Sequence, residues 1–271
     1  MTTVIKTPFA NIYKEAAFGS MLITQGVMWE KVKILEEKDD WIYLRLPDGY
    51  TGWCQRFSLQ ELSEESLKIY ARAKRILIHE PFVEIKSYSS RENGYEKMGM
   101  AAFSARFPLL NTKSYWAEVL LPDGTKGWIQ QKNLPQMPLR DLLIYYAEKF
   151  LGASYFWGGK TENGFDCSGF VQSIFFACNI KVPRDASMQI EFLENSQSEN
   201  NTIQNGDLAF FRNEKGSVTH VAIMMDEHKY IHASGEVKIN SFDPDSPLYN
   251  EKLATMMKRA GLYSISSLMK E

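Results

Sequence analysis

Cysteine is scarce in this chain: three residues in 271, at positions 54, 167 and 178, an odd set without a CxxC pair. That excludes a disulfide-stapled scaffold and fits a reducing compartment. An excess of charge of one sign is also lacking. The 31 basic and 33 acidic residues leave a formal net charge of −2, which gives no electrostatic reason to expect nucleic acid or an anionic membrane as partner. No apolar run approaches the ~20 residues needed to span a bilayer. The start, Met1 to Pro8, has no long apolar core behind a basic head, so no signal peptide is expected. The expected location is cytoplasmic, unless a targeting segment was removed. Histidine is rare as well, with four in all. What remains, 44% hydrophobic and 24% charged residues, is the composition of an ordinary soluble protein, long enough for two or three domains.

The first half repeats itself. WIYLRLPDGYTGW, Trp41 to Trp53, returns as WAEVLLPDGTKGW, Trp116 to Trp128, 75 residues later and without a gap. Both copies read as strand, Pro-Asp-Gly turn, strand. Further strand candidates lie upstream, Glu30 to Glu36 and Phe82 to Lys86. Two small all-β barrels in series explain this better than one large sheet, and the charged segment Ser63 to Arg75 between them reads as a linker. Trp53 and Trp128 read as core residues rather than groove walls. Tyr50 differs, because the second copy has Thr125 there and so the barrel itself does not need an aromatic. Glu30, beside Trp29, reads either as an exposed charge or as a ligand group.

The second half carries reactive groups. Leu139, Leu142, Leu143, Tyr146, Ala147, Phe150 and Leu151 form an apolar helical stripe after Pro138, ended by Gly152. Next comes the aromatic loop Tyr155-Phe156-Trp157-Gly158-Gly159, whose glycines would let backbone approach a ligand. Asp166 stands where an N-cap belongs, and Phe170, Val171, Ile174, Phe175 and Cys178 then recur on one helical face. Cys167 would therefore occupy a first helical turn, where the helix dipole favours the thiolate. It is either a nucleophile awaiting a base or a small buried residue. Farther on, Val218 to Met225 and Lys229 to Ala233 read as strands joined around Asp226 and Glu227. That hairpin puts His220 and His232 on one face, their Cβ atoms within about 5–8 Å. His79 and His228 have no such partner and read as surface residues.

Taken together, Asp-Cys-Ser-Gly-Phe-Val at a helix start, Thr-His-Val-Ala downstream and a second histidine twelve residues later resemble the NlpC/p60 cysteine peptidases. Tyr-x-Trp-Gly-Gly, Pro-Arg and Gly-Asp-Leu fall where that family has them, and W…LPDG…GW resembles bacterial SH3-like domains. The resemblance implies an α+β chain: an SH3-like domain over 1–62, a linker over 63–75, a second SH3-like domain over 76–135, and a papain-like peptidase domain over 136–271. It implies Cys167 as nucleophile, His220 as base and acid, and His232 as orienter. It implies an oxyanion hole from the Cys167 N–H and the Tyr155 hydroxyl, and a pocket for a γ-D-Glu residue built from Trp157, Asp166, Ser168, Arg184 and Asp185. Ala186 stands where relatives often carry Ser.

The arrangement looks like that of γ-D-glutamyl-L-diamino-acid endopeptidases of muropeptide recycling. In those the first SH3-like domain caps the cleft and meets the free amine of L-Ala, a role that falls here on Glu30 and Tyr50. The expected partner is then a peptidoglycan stem peptide, L-Ala-γ-D-Glu-L-diamino acid, with no cofactor, no metal and a monomeric enzyme. Rival readings are a zinc site on Cys167, His220 and His232, an amidase or acyltransferase using the same Cys and His, a hydrolase of intact peptidoglycan, and a wall-binding protein with an inactive peptidase domain.

Overall fold

The computed structural model describes residues 2–89, 94–133, 135–194 and 203–269. They fall into two compact units, Met1–Leu134 and Pro135–Glu271.

The first unit holds two antiparallel sheets. One contains β1 (Thr3–Ile5), β2 (Phe9–Tyr13), β3 (Leu22–Val27), β4 (Lys31–Lys38), β5 (Trp41–Arg45), β6 (Thr51–Gln55) and β7 (Leu59–Glu61), in the order β3-β2-β6-β5-β4-β1-β7. The other contains β8 (Arg75–Leu77), β9 (Val83–Ser89), β10 (Gly94–Ala101), β11 (Arg106–Lys113), β12 (Trp116–Leu120) and β13 (Lys126–Gln130), in the order β10-β9-β13-β12-β11-β8. Adding seven to each of the first six strand numbers turns one order into the other, so the duplication covers six strands and not the hairpin alone. The strand at Val83–Ser89 is thus the counterpart of β2, whereas β4 matches β11, which the sequence reading missed because Pro108 interrupts it.

Turn chemistry explains why only the hairpin repeats in sequence. Gly49 and Gly124 take φ of 90° and 89°, a left-handed conformation that other side chains resist. Asp48 accepts from the Tyr50 N–H at 3.0 Å and Asp123 from the Thr125 N–H at 2.9 Å, the Asx arrangement that favours aspartate there. Elsewhere the sheet asks only for alternating burial, which many residues satisfy.

Two expectations change. Trp53 and Trp128 are half-buried, not core; Gly52, Cys54, Gly127 and Ile129 take the inward positions, and Trp53 packs on Tyr43 at 5.2 Å. His79 is half-buried, its Nε2 3.1 Å from the Lys132 carbonyl, and His228 is exposed. The segment between the two sheets, helix-compatible in sequence and read as a linker, folds as helix α1 (Glu64–Arg72), capped by Ser63. Its Tyr70 stacks on Trp29 at 5.2 Å within a core that draws on both sheets, from Val4 and Val27 to Phe107 and Ile129.

The second unit begins with α2 (Leu139–Glu148), then a short hairpin of β14 (Lys160–Thr161) and β15 (Gly164–Phe165), α3 (Cys167–Ala177) and α4 (Ala186–Glu194). Five strands follow: β16 (Leu208–Arg212), β17 (Val218–Met224), β18 (Lys229–Ser234), β19 (Glu236–Ser241) and, after helix α5 (Glu251–Lys258), β20 (Gly261–Tyr263). They pair antiparallel in the order β19-β18-β17-β16-β20. The expected face of α3 is buried throughout, and so are Gln172 and Ser173, as befits a helix enclosed on nearly all sides. The helix packs against β17 and β18. Ala209, Phe211, Ala222, Met224 and Tyr230 meet Leu253, Met256 and Met257 of α5. Among the described residues no helix is long and apolar enough to cross a membrane.

Candidate active site

The site is built where the start of α3 meets β17. Asp166 caps the helix, taking the Gly169 N–H on Oδ1 at 2.7 Å, and this fixes Cys167 as the first helical residue. Its sulfur accepts hydrogen bonds from the backbone N–H groups of Val221 and Ser168, which seats it against the strand residue next to His220. A register shift separates Phe211↔His220 from Arg212↔Val218, leaving Thr219 without a partner on β16. Bulges of this kind re-aim the neighbouring side chain.

His220 and His232 meet as the hairpin implied, though diagonally. The strand register pairs Ile223 with Ile231 and Met224 with Tyr230, so the position facing His232 is Ala222. The rings bridge the diagonal, with His220 Nε2 2.7 Å from His232 Nδ1. On the far side, His232 Nε2 lies 2.9 Å from Asn240 Oδ1, and Asn240 Nδ2 donates to the Leu248 carbonyl at 3.0 Å. Asn240 was not singled out from the sequence, although the alternation of Val237 and Ile239 after Gly235 is a readable strand signal.

The three reactive groups rest in their neutral forms. Burial, with a smaller contribution from His232, pushes His220 down to about 3, and burial pushes His232 down to about 4. The Cys167 thiol is pushed up to about 11, first by burial and then by the Asp166 carboxylate, against the opposing N–H bonds of Val221 and Ser168. The sequence-level expectation that the helix start favours the thiolate is therefore outweighed. A helix terminus is worth about 0.3–1 kcal/mol, less than one pKa unit, whereas burial and the Asp166 carboxylate together take this thiol from 9.0 to about 11.

Facing the cysteine is the aromatic loop. Tyr155 is held by its N–H on the Gly235 carbonyl at 2.8 Å and by bridge pairing with Phe165. Burial, and then the charges of Cys167 and Asp166, push its hydroxyl up to about 12, so it stays a donor at neutral pH. Two glycines near the cysteine are required by close packing of backbone on backbone. A Cβ on Gly159 would lie 2.3 Å from the Gly164 carbonyl oxygen, and one on Gly169 2.2 Å from the Gly159 oxygen.

Asp166 also organises what surrounds the cysteine. Arg184 reaches Oδ1 at 2.9 Å and Oδ2 at 2.6 Å, Gly158 donates its N–H to Oδ2 at 2.9 Å, and Arg184 meets Ser168 Oγ at 3.0 Å. Arg184 is only 2% exposed, so it acts on the cleft through Asp166 and Ser168. Asp185 is half-buried just ahead of α4, its carbonyl accepting from the Gln189 N–H at 2.9 Å. Trp157 is 60% exposed. Glu30 and Tyr50 belong to the first unit, where the Glu30 carboxylate accepts from the Val27 N–H at 3.1 Å.

Among the described residues no group of three His, Cys, Asp or Glu side chains is placed to hold a metal ion together. Two nitrogens bound to one zinc at about 2.0–2.1 Å in tetrahedral arrangement lie ~3.3 Å apart with the ion between them. His220 and His232 instead share a proton across 2.7 Å.

Residues 152–258 match the model of the NlpC/P60 family. The chain carries an NlpC/P60 domain. Residues 12–59 match the bacterial dipeptidyl-peptidase Sh3 domain, which identifies the first sheet. Similar proteins include the gamma-D-glutamyl-L-lysine dipeptidyl-peptidase of Bacillus cereus, 29% identical over 259 residues, covering 87% of this chain and 74% of that one. Dipeptidyl-peptidase 6 of Lysinibacillus sphaericus is 26% identical over 279 residues, covering 96% and 99%. An NlpC/P60 family crystal structure from Bacillus cereus shares the fold, with a TM-score of 0.78 and 24% identity over 97% of this chain and 99% of that one. The NlpC/P60 domain places this chain among cysteine peptidases, and it is a hydrolase with an α+β peptidase domain behind an all-β region.

Proposed function

We propose that this NlpC/P60 protein hydrolyses the γ-D-Glu–L-diamino acid bond of short peptidoglycan-derived peptides with a free amino-terminal L-Ala, releasing L-Ala-γ-D-Glu. The observation that carries the reading is the Cys167–His220–His232 constellation, a sulfur bonded to the N–H of Val221, the residue after His220, and two imidazoles joined at 2.7 Å. The similar gamma-D-glutamyl-L-lysine dipeptidyl-peptidase, matched over 87% of this chain, supports the choice of bond.

The chemistry follows from the neutral resting state. As the Cys167 sulfur attacks the γ-carbonyl carbon, its proton passes to His220, and the carbonyl oxygen gains negative charge. The Cys167 N–H and the Tyr155 hydroxyl donate to that oxygen. Donors aimed in advance are worth about 2.7–4 kcal/mol each in such sites. His220 then gives the proton to the leaving amine, which departs and leaves a thioester. Water, deprotonated by His220, cleaves the thioester and restores the thiol. The Asp166–Arg184 pair, with Ser168, holds the wall of the γ-D-Glu pocket, and Trp157 and Asp185 complete it.

Recognition of the L-Ala ammonium is assigned to Glu30 and Tyr50. Glu30 follows Trp29, which takes φ of 73°, an uncommon conformation for a bulky residue. Its indole donates to the Leu120 carbonyl at 3.1 Å, so the turn presenting Glu30 is held from both sheets of its unit.

The test compares L-Ala-γ-D-Glu-L-Lys, its diaminopimelate counterpart, the N-acetylated peptides and intact sacculi. Free peptides are cleaved. N-acetylation removes the ammonium and lowers kcat/KM on the order of 100-fold or more, since removing one partner of a buried ion pair costs about 3–5 kcal/mol. Equal rates on free and acetylated peptides would refute Glu30 and Tyr50 as the amine's partners, and brisk release from sacculi would make the protein a hydrolase of the wall itself.

A further inference from the structure

We infer that Asn240 is a positioning residue: its Oδ1 fixes the tautomer of His232 and so leaves Nδ1 of His220 as the proton acceptor for Cys167. At the far end of the chain of bonds stands the Leu248 carbonyl, which can only accept. It takes the Ser241 N–H at 2.9 Å and Asn240 Nδ2 at 3.0 Å. Turning the Asn240 amide over would set its oxygen against that carbonyl oxygen, so the orientation of the amide is fixed. Oδ1 then faces His232 Nε2 at 2.9 Å and, being an acceptor, requires a hydrogen on that nitrogen. Neutral His232 has no second hydrogen, so its Nδ1 accepts. The partner at 2.7 Å, His220 Nε2, must donate. Neutral His220 is left with a lone pair on Nδ1, the one nitrogen free to take the thiol proton.

Four groups in line thus set one protonation state, beginning from a backbone oxygen that cannot titrate. Asn240 is well placed for this task, on β19 across from Tyr230, while Lys238 stands across from His232 itself. The ionisable groups around His232 are therefore His220 on β17, Tyr230 on its own strand and Lys238 on β19. Among the described residues that set holds no carboxylate. The amide gives His232 an acceptor without a negative charge, so the imidazoles are oriented yet not held in their charged forms.

The inference rests on the reading of His220 as the base, and the experiment separates the two. His220→Ala, Asn240→Leu and Asn240→Asp are compared with wild type on L-Ala-γ-D-Glu-L-Lys, with the His232 tautomer read directly by 15N NMR. Asn240→Leu is expected to lower kcat about 10–100-fold with little change in KM, and to leave His232 a mixture of tautomers. Asn240→Asp keeps the acceptor, retains the Nε2–H tautomer, and moves the acid limb of kcat/KM up by about 1–3 pH units, a shift that a purely structural role would not produce. An inactive His220→Ala beside Asn240→Leu within about twofold of wild type, or an unmoved acid limb in Asn240→Asp, overturns the role of Asn240 alone. An active His220→Ala removes the base assignment, and the His232 tautomer in Asn240→Leu still decides whether Asn240 fixes it: a single Nε2–H form there overturns the inference.

Discussion

The two walls of the cleft are held by opposite means. On the helix side a full ion pair, Asp166 with Arg184, ties the Gly158 loop, the start of α3 and Ser168 together through bonds of 2.6–3.0 Å. On the sheet side a line of neutral groups, His220, His232, Asn240 and the Leu248 carbonyl, does the holding. Charge serves where nothing has to titrate. Neutrality serves where the proposed reaction moves a proton, because a fixed charge beside an imidazole or thiol would lock it in one state. The exception is instructive: the Asp166 carboxylate raises the Cys167 thiol, and Arg184 offsets part of that, so the pair is gentler on the thiol than the carboxylate alone would be.

Breaking the charged wall has the largest expected effect. Arg184→Met leaves the Asp166 carboxylate buried without its cation, at a cost of about 3–5 kcal/mol to the folded second unit. Thermal or denaturant melting followed by a probe in that unit checks this, and a loss under about 1 kcal/mol would show that solvent or another donor replaces the guanidinium. Tyr155→Phe comes next. Removal of one oxyanion donor lowers kcat about 10²–10³-fold with little change in stability, and kcat within a few-fold of wild type would remove Tyr155 from the oxyanion hole.

The neutral wall predicts a smaller, pH-dependent effect. His220 and His232 sit below their usual value of 6.5, at about 3 and about 4, so the unfolded chain binds more protons than the folded one between those limits. Stability is greatest above pH 6.5 and falls as pH drops from 6.5 towards 4 and 3. His232→Gln should make that acid slope shallower, which urea titrations at several pH values measure. The thiol runs the other way: raised to about 11 from 9.0, it costs stability only as pH climbs above 9. Alkylation of Cys167 by iodoacetamide should accordingly keep accelerating past pH 9, and a plateau near neutrality would indicate a thiolate–imidazolium pair at rest. The other two cysteines, Cys54 and Cys178, are buried and contribute little to the reaction.

The same contrast explains what the sequence made legible. Cys167 could be read because a cap and an apolar helical face are local, and His220 with His232 because a hairpin folds a twelve-residue interval onto one face. The Asp166–Arg184 pair spans 18 residues, across all of α3 and the loop after it, and no periodicity links such positions. Asn240 lies one strand beyond the readable hairpin. In the first unit the six-strand duplication is nearly invisible outside the turn, since only the turn demands particular residues. Trp53 and Trp128 misled for a related reason: aromatic residues suit a half-exposed strand face as well as a core, and the adjacent glycines lie on the inward side.

The most direct test of the whole reading is turnover of L-Ala-γ-D-Glu-L-Lys by wild type and by Cys167→Ala, with melting curves recorded on both. The expected result is release of L-Ala-γ-D-Glu and lysine by wild type, none by the variant, and matching melting curves. Lysine release by a folded Cys167→Ala protein would contradict the account.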